Sequence, residues 1–117
     1  MASIIEAIGK HSREIGDKVC LIDGDLHLSY STFFSYICGF SSYLRSKGVI
    51  EGAYVIVRTT QTASYFITGA AIQLIGAVFV PVERRISQGF LEEIISLTGA
   101  RLMISPMDEK SDIKVIE

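Results

Sequence analysis

The chain has 117 residues, of which 49% are hydrophobic and 21% charged, and carries a formal net charge of −2. That is enough for one domain or part of one with a real core, and too apolar a composition for a disordered segment. The only adjacent basic pair is Arg84-Arg85, so there is no clustered basic footprint for nucleic acid.

Ser3-Ile4-Ile5-Glu6 fits a capping box, with Ser3 as N-cap and Glu6 reaching back to its amide. The pattern predicts a first helix running to about Arg13, with Ile4, Ile5 and Ile8 on its apolar face. The same opening residues, Met1 to Ile8, have no basic n-region, so no signal peptide is expected. Val19–Ile22 and Leu26–Leu28, separated by Asp23-Gly24-Asp25, read as a β-hairpin, because such a turn needs positive φ. Ser29 precedes a long helical pattern in which Phe33, Ile37, Phe40 and Leu44 form one face. Arg45 and Lys47 favour its C-terminal end, and Gly48 suits the position beyond it.

Tyr54–Val57 is apolar without alternation, as expected of a strand buried on both faces. Residues 62–75 form a nearly all-apolar helix, with Gly69, Ala70 and Ala71 suited to a close approach to a sheet. Gly76 ends it, and Ala77–Val80 forms the next strand, stopped by Pro81. A third such helix covers Gln88 to Leu97, with Leu91, Ile94 and Ile95 inward and Gly99 as its stop. Arg101–Ile104 is a strand broken at Pro106. Met107–Asp112 reads as a polar loop, and Lys114–Glu117 as the start of one more strand. No charge occurs from Thr59 to Val82, long enough to span a bilayer; its polar residues and the break at Gly76 favour a buried helix and strand instead. The fold expected is α/β: a three-layer parallel βαβαβ sheet preceded by a helix and a β-hairpin.

Chemistry is harder to find. Cys20 and Cys38 fit neither a CxxC nor a zinc spacing, and read as small buried hydrophobes in a reducing compartment. His11 and His27 lack ligand spacing. Asp23 and Asp25 suit turn chemistry. The aromatic-rich helix around Tyr30, Phe33, Phe34, Tyr36, Phe40 and Tyr43 reads as core plus a wet face. Parallel sheets bind ligands beyond the carboxyl ends of their strands. Here those loops are Arg58-Thr59-Thr60-Gln61, Val82-Glu83-Arg84-Arg85, and Ser105 onward; none contains a Gly-rich phosphate motif. Arg84 and Arg85 are the candidate ligand-binding residues; the bland reading is a solvated loop.

The order of landmarks resembles the N-terminal region of adenylate-forming (AMP-binding, acyl-CoA synthetase-like) enzymes over about residues 17–105. Asp17-Lys18-Val19 resembles "PDKxAL", with Gly16 where Pro is usual, and Leu28-Ser29-Tyr30 resembles "LTY". Gly48 to Gly52 resembles "GVxxGD", although Ala53 replaces the Asp. Gly76-Ala77-Val78-Phe79-Val80-Pro81 closely matches the family's "GAVxVP", and Phe90–Ile104 its next helix and strand.

The resemblance implies that residues 1–117 are a partial N-terminal subdomain of a cytoplasmic ligase. Such an enzyme uses ATP and Mg2+ to activate a carboxylic acid as acyl-AMP, then passes the acyl group to CoA or a carrier-protein pantetheine. The family's phosphate loop and catalytic Lys lie further along, so no catalytic or metal-binding residue is assigned, and these 117 residues alone are expected to be inactive and cofactor-free. The expected partners are the remainder of the parent enzyme, its acid and its thiol, with no nucleic acid and no membrane span. In acetyl-CoA synthetase-like members the segment after the "GAV" strand helps receive the CoA nucleotide, which gives Arg84 and Arg85 their role as contacts to a CoA phosphate. The competing readings are a free-standing, non-catalytic α/β binding module and a membrane-anchored fragment using Thr59–Val82.

Overall fold

Ile4–Glu14 forms the first helix, α1, which buries Ile5 and Ile8 while Ile4 stays 66% exposed. The apolar face is therefore narrower than the three isoleucines suggested. A hairpin follows, β1 (Val19–Asp23) and β2 (Leu26–Ser29), paired antiparallel with Asp23 opposite Leu26. Gly24 alone carries the positive φ, +59°, and Asp25 does not. The turn is thus the type that needs a left-handed residue only at its first central position.

Helix α2 (Tyr30–Ser46) starts at Ser29, whose hydroxyl accepts the Thr32 N–H at 3.2 Å. It buries Phe33, Ile37, Ser41 and Leu44; Phe40 is only half-buried. The remaining elements are β3 (Tyr54–Arg58), α3 (Ala63–Ile75), β4 (Val78–Val82), α4 (Gln88–Thr98), β5 (Leu102–Pro106) and β6 (Ser111–Val115). This computed structural model describes residues 4–60, 62–106 and 111–115. The expected Ser3 cap, Gln61 of the first carboxyl-edge loop, residues 107–110 of the polar loop and residues 116–117 lie outside them.

The main sheet has the order β4-β3-β5-β6. β3 is paired parallel with both β4 and β5, and β6 runs antiparallel to β5. Val55, Ile56 and Val57 of β3 are at most 1% exposed, as the unbroken apolar run requires. Val55 and Val57 join Leu102 and Ile104 in a core with Ile37, Leu44, Ala71 and Ile72 of α2 and α3. Ile56 points the other way, to Val82, Met103 and Leu91 of α4. Alternation along β3 thus serves two cores and yields three layers: helices, sheet, helix.

Three expected boundaries are corrected. Pro81 does not stop its strand. Val78 N–H donates to Ala53 O at 2.7 Å and Thr59 N–H to Val82 O at 2.9 Å, so residues 78 and 82 face β3 and residue 81 faces away. On an edge strand the missing N–H of Pro81 then removes no ladder bond. Pro106 ends β5 rather than preceding a long loop, and Ser111 and Asp112 lie in β6 opposite Pro106 and Ser105. The last strand begins at Ser111, before Lys114. Gly76, at φ +82°, closes α3 as expected. The uncharged stretch splits into α3 and β4; no helix among the described residues is long and apolar enough to cross a membrane.

Candidate functional site

β3 and β4 end side by side, Arg58 opposite Val82. The chain leaving β3 is tied back to β4 twice, since both the amide and the hydroxyl of Thr59 donate to the Val82 carbonyl, at 2.9 and 3.2 Å. Beyond Val82 the Ile86 N–H closes a turn on the Glu83 carbonyl at 3.1 Å, with Arg84 and Arg85 at its tip, both exposed. Ser87 follows as the N-cap of α4, accepting the Phe90 N–H at 3.2 Å.

Arg58 connects the two loops. Its guanidinium Nη1 donates to the Arg84 carbonyl oxygen at 2.8 Å. The candidate pair Arg84-Arg85 therefore stands on a turn held from below by a third arginine. Sequence reading had Arg58 only as the first residue of a carboxyl-edge loop; a side chain–backbone bond across 26 positions leaves no local signal.

The α3 end of the same loop has an unexpected cap. Thr62 occupies the N-cap position without a side-chain bond to the helix; its hydroxyl is instead 2.8 Å from that of Thr60. The free Ala63 N–H donates to Asp23 Oδ2 at 2.8 Å. Asp23 thus does more than end a strand before a turn: it ties the hairpin to the carboxyl edge of the main sheet, with its charge at the favourable end of α3. Asp25 remains an exposed turn residue.

His27 is exposed on β2. His11 packs tilted against Tyr30, ring centroids 5.1 Å apart, at the wall of a groove of about 480 Å³ between α1, the hairpin, α3 and β4. Ile5, Tyr65, Phe66, Gly69 and Phe79 also line it, with few polar groups. Cys20 faces the same groove, and burial pushes its thiol pKa up, the opposite of what a nucleophilic cysteine needs. Cys20 and Cys38 are free, half-buried thiols.

Among the described residues no group of three or more His, Cys, Asp or Glu could hold a metal ion, and the carboxyl-edge loops carry no Gly-rich phosphate cradle. These loops therefore show no phosphate loop for the triphosphate of ATP. The edge offers guanidinium groups on a braced turn, which can bind an anion and cannot transfer a proton.

Comparison with known proteins gives these geometries a context. The family of AMP-binding enzymes matches residues 9–117. A nonribosomal peptide synthetase, penN of Penicillium thymicola, is 31% identical over 104 residues, which cover 89% of this chain and 4% of that protein. A 3-[(3aS,4S,7aS)-7a-methyl-1,5-dioxo-octahydro-1H-inden-4-yl]propanoyl:CoA ligase of Rhodococcus jostii is 24% identical over 98 residues, covering 84% of this chain and 19% of the ligase. The solved N-terminal subdomain of Klebsiella oxytoca NpsA, in complex with 3-hydroxybenzoyl-AMSN, superposes with a TM-score of 0.82 at 25% identity, over 90% of this chain and 27% of that one. The chain thus spans a small part of the curated relatives it matches.

Proposed function

The chain belongs to the AMP-binding enzyme family, and from that premise we propose that residues 1–117 form the N-terminal part of the larger AMP-binding domain of an ATP-dependent acid–thiol ligase. The observation that carries this reading is the family match over residues 9–117 together with the fold shared with an adenylation enzyme's N-terminal subdomain.

In the reaction proposed, a carboxylate oxygen attacks the α-phosphorus of ATP, releasing pyrophosphate and leaving an acyl-adenylate. A thiol then attacks the acyl carbonyl, and AMP departs. ATP would supply the activating adenylyl group, and Mg2+ the countercharge, at residues outside these 117. The two curated relatives support the two kinds of thiol: a CoA ligase for CoA, a peptide synthetase for a carrier-protein pantetheine. The reading requires a compartment where ATP and reduced thiols coexist, and the cytoplasm is the one proposed.

The chain's own contribution is scaffold and one ligand contact. Arg84 and Arg85, at the carboxyl edge of a parallel sheet, hold a phosphate of CoA. Guanidinium groups suit phosphate because they donate in pairs where Lys acts as a point charge. The test uses the longer protein that contains this chain. Carboxylate-dependent ATP–pyrophosphate exchange is expected, followed by thioester formation with one of the two thiols; no exchange across a broad panel of acids would overturn the ligase reading. Replacing both arginines by Ala is expected to raise KM for CoA at least about tenfold, the low end for charged hydrogen bonds (~1.5 kcal/mol), with exchange unchanged. An unchanged KM for CoA would make the pair a solvated turn, and equal loss in both half-reactions would make it structural.

A further inference from the structure

Resting on the phosphate role given above to Arg84 and Arg85, we infer that Arg58 is the positioning residue of that site, holding the turn in the shape that presents their guanidinium groups to a phosphate. Arg58 ends β3, the central strand of the parallel trio; it is paired with Val82 of β4, and Val57 just before it is paired on both sides. From there its Nη1 reaches the carbonyl between the two candidate residues. That bond uses one of the five N–H donors of the group and leaves its charge beside the turn. Glu83 is the single carboxylate between Arg58 and Arg85 on these two loops. Three cations on adjoining loops, set against that one carboxylate and with the turn braced through the Arg84 carbonyl, form a site for a multiply charged anion. A lysine in place of Arg58 would keep the charge and lose the planar fork; a glutamine would keep a donor and lose the charge.

The probe experiment uses the 117-residue chain labelled with nitrogen-15. Arginine Nε–H signals and the amides of residues 83–86 are followed during titration with adenosine 3′,5′-bisphosphate, which carries the phosphates of the nucleotide end of CoA, and separately with inorganic pyrophosphate. The expected result is saturable shifts at Arg84 and Arg85. In Arg58→Gln and Arg58→Lys the amides of 83–86 should move before any ligand is added, and the affinity should fall by about tenfold, equivalent to about 1.4 kcal/mol. A response to the nucleotide alone assigns the CoA end as the source, and a response to pyrophosphate alone assigns a diphosphate; both support the site. Unmoved 83–86 amides or undiminished affinity in the Arg58 variants overturns the positioning role. The absence of any response in the wild-type chain overturns the anion site. Arg84→Ala with Arg85→Ala changes only exposed side chains, and a response that survives in it overturns the anion site; should the Arg58→Gln chain fail to fold, Arg58→Lys, which keeps the charge, carries the positioning test. Carboxylate-dependent exchange in the longer protein uses none of these residues, so failure here is separable from failure of the ligase reading.

Discussion

Asp23 caps a helix that begins 40 positions later in the chain. Removing its carboxylate leaves the first amide of α3 without a side-chain acceptor, because Thr62 does not supply one. Asp23→Ala is therefore expected to cost about 0.5–2 kcal/mol in urea unfolding, and Asp23→Asn much less; equal losses would mean that the cap contributes nothing. Local caps such as Ser29 were legible in the sequence, since acceptor and amide sit within one turn. Asp23 and Arg58 were not, because their partners are distant in sequence and are brought near only by the β3–β4 edge. At Cys20 the buried environment favours the neutral thiol. In a Cys38→Ser background it should alkylate more slowly than free cysteine at the same pH. Since its folded pKa is raised, its contribution to stability is present below the ordinary thiol range and is lost as pH rises through and beyond it. Alkylation as fast as free cysteine would show that the groove admits water freely.

At the level of elements, the helices and the first five strands follow from runs readable in the sequence, and the errors fell where a residue's meaning depends on its neighbours. Pro81 reads as a strand breaker until β4 is known to be an edge strand with that residue facing outward. β6 was hard to see because Ser111 and Asp112 are polar, as suits a sheet-edge strand, and its register is set by β5 and not by its own pattern. Glycines separate the same way. Gly76 sits at φ +82°, and a Cβ there would come within 3.1 Å of Glu51, so Gly76→Ala should cost about 1 kcal/mol or more. Gly39, inside α2 with open space around it, should gain roughly 0.5–1 kcal/mol on mutation to Ala. Thermal melts of the two variants are expected to shift in opposite directions. The small residues of α3 divide too. Ala71 is fully buried in the core, whereas Gly69 and Ala70 line the groove. Ala71→Leu should lose about 1–3 kcal/mol by overpacking, and Ala70→Leu, which has space to extend, markedly less; the reverse order would mean that the groove is closed in solution.

For the whole molecule, the unalternating apolar run at Tyr54–Val57 was enough to announce a covered parallel sheet, and the short crossovers fixed its α/β class. The central position of β3, with β5 beside it and not beside β4, was not readable, because sequence order does not determine strand order. Function was legible only as a succession of landmarks, of which Gly76 to Pro81 is the fullest, and not from any constellation of reactive groups. That asymmetry fits a chain that spans 27% of a solved N-terminal subdomain and, in the function proposed, leaves the chemistry to residues carried elsewhere. The account is tested most directly by carboxylate-dependent ATP–pyrophosphate exchange, measured side by side for the 117-residue chain and for the longer protein that contains it. Positioned groups that stabilise developing charge supply most of the rate in such transfers, and the chain carries no Gly-rich phosphate loop. The expected result is background exchange for the chain and acid-dependent exchange for the longer protein; acid-dependent exchange by the chain alone, or none by the longer protein with any acid, would contradict it.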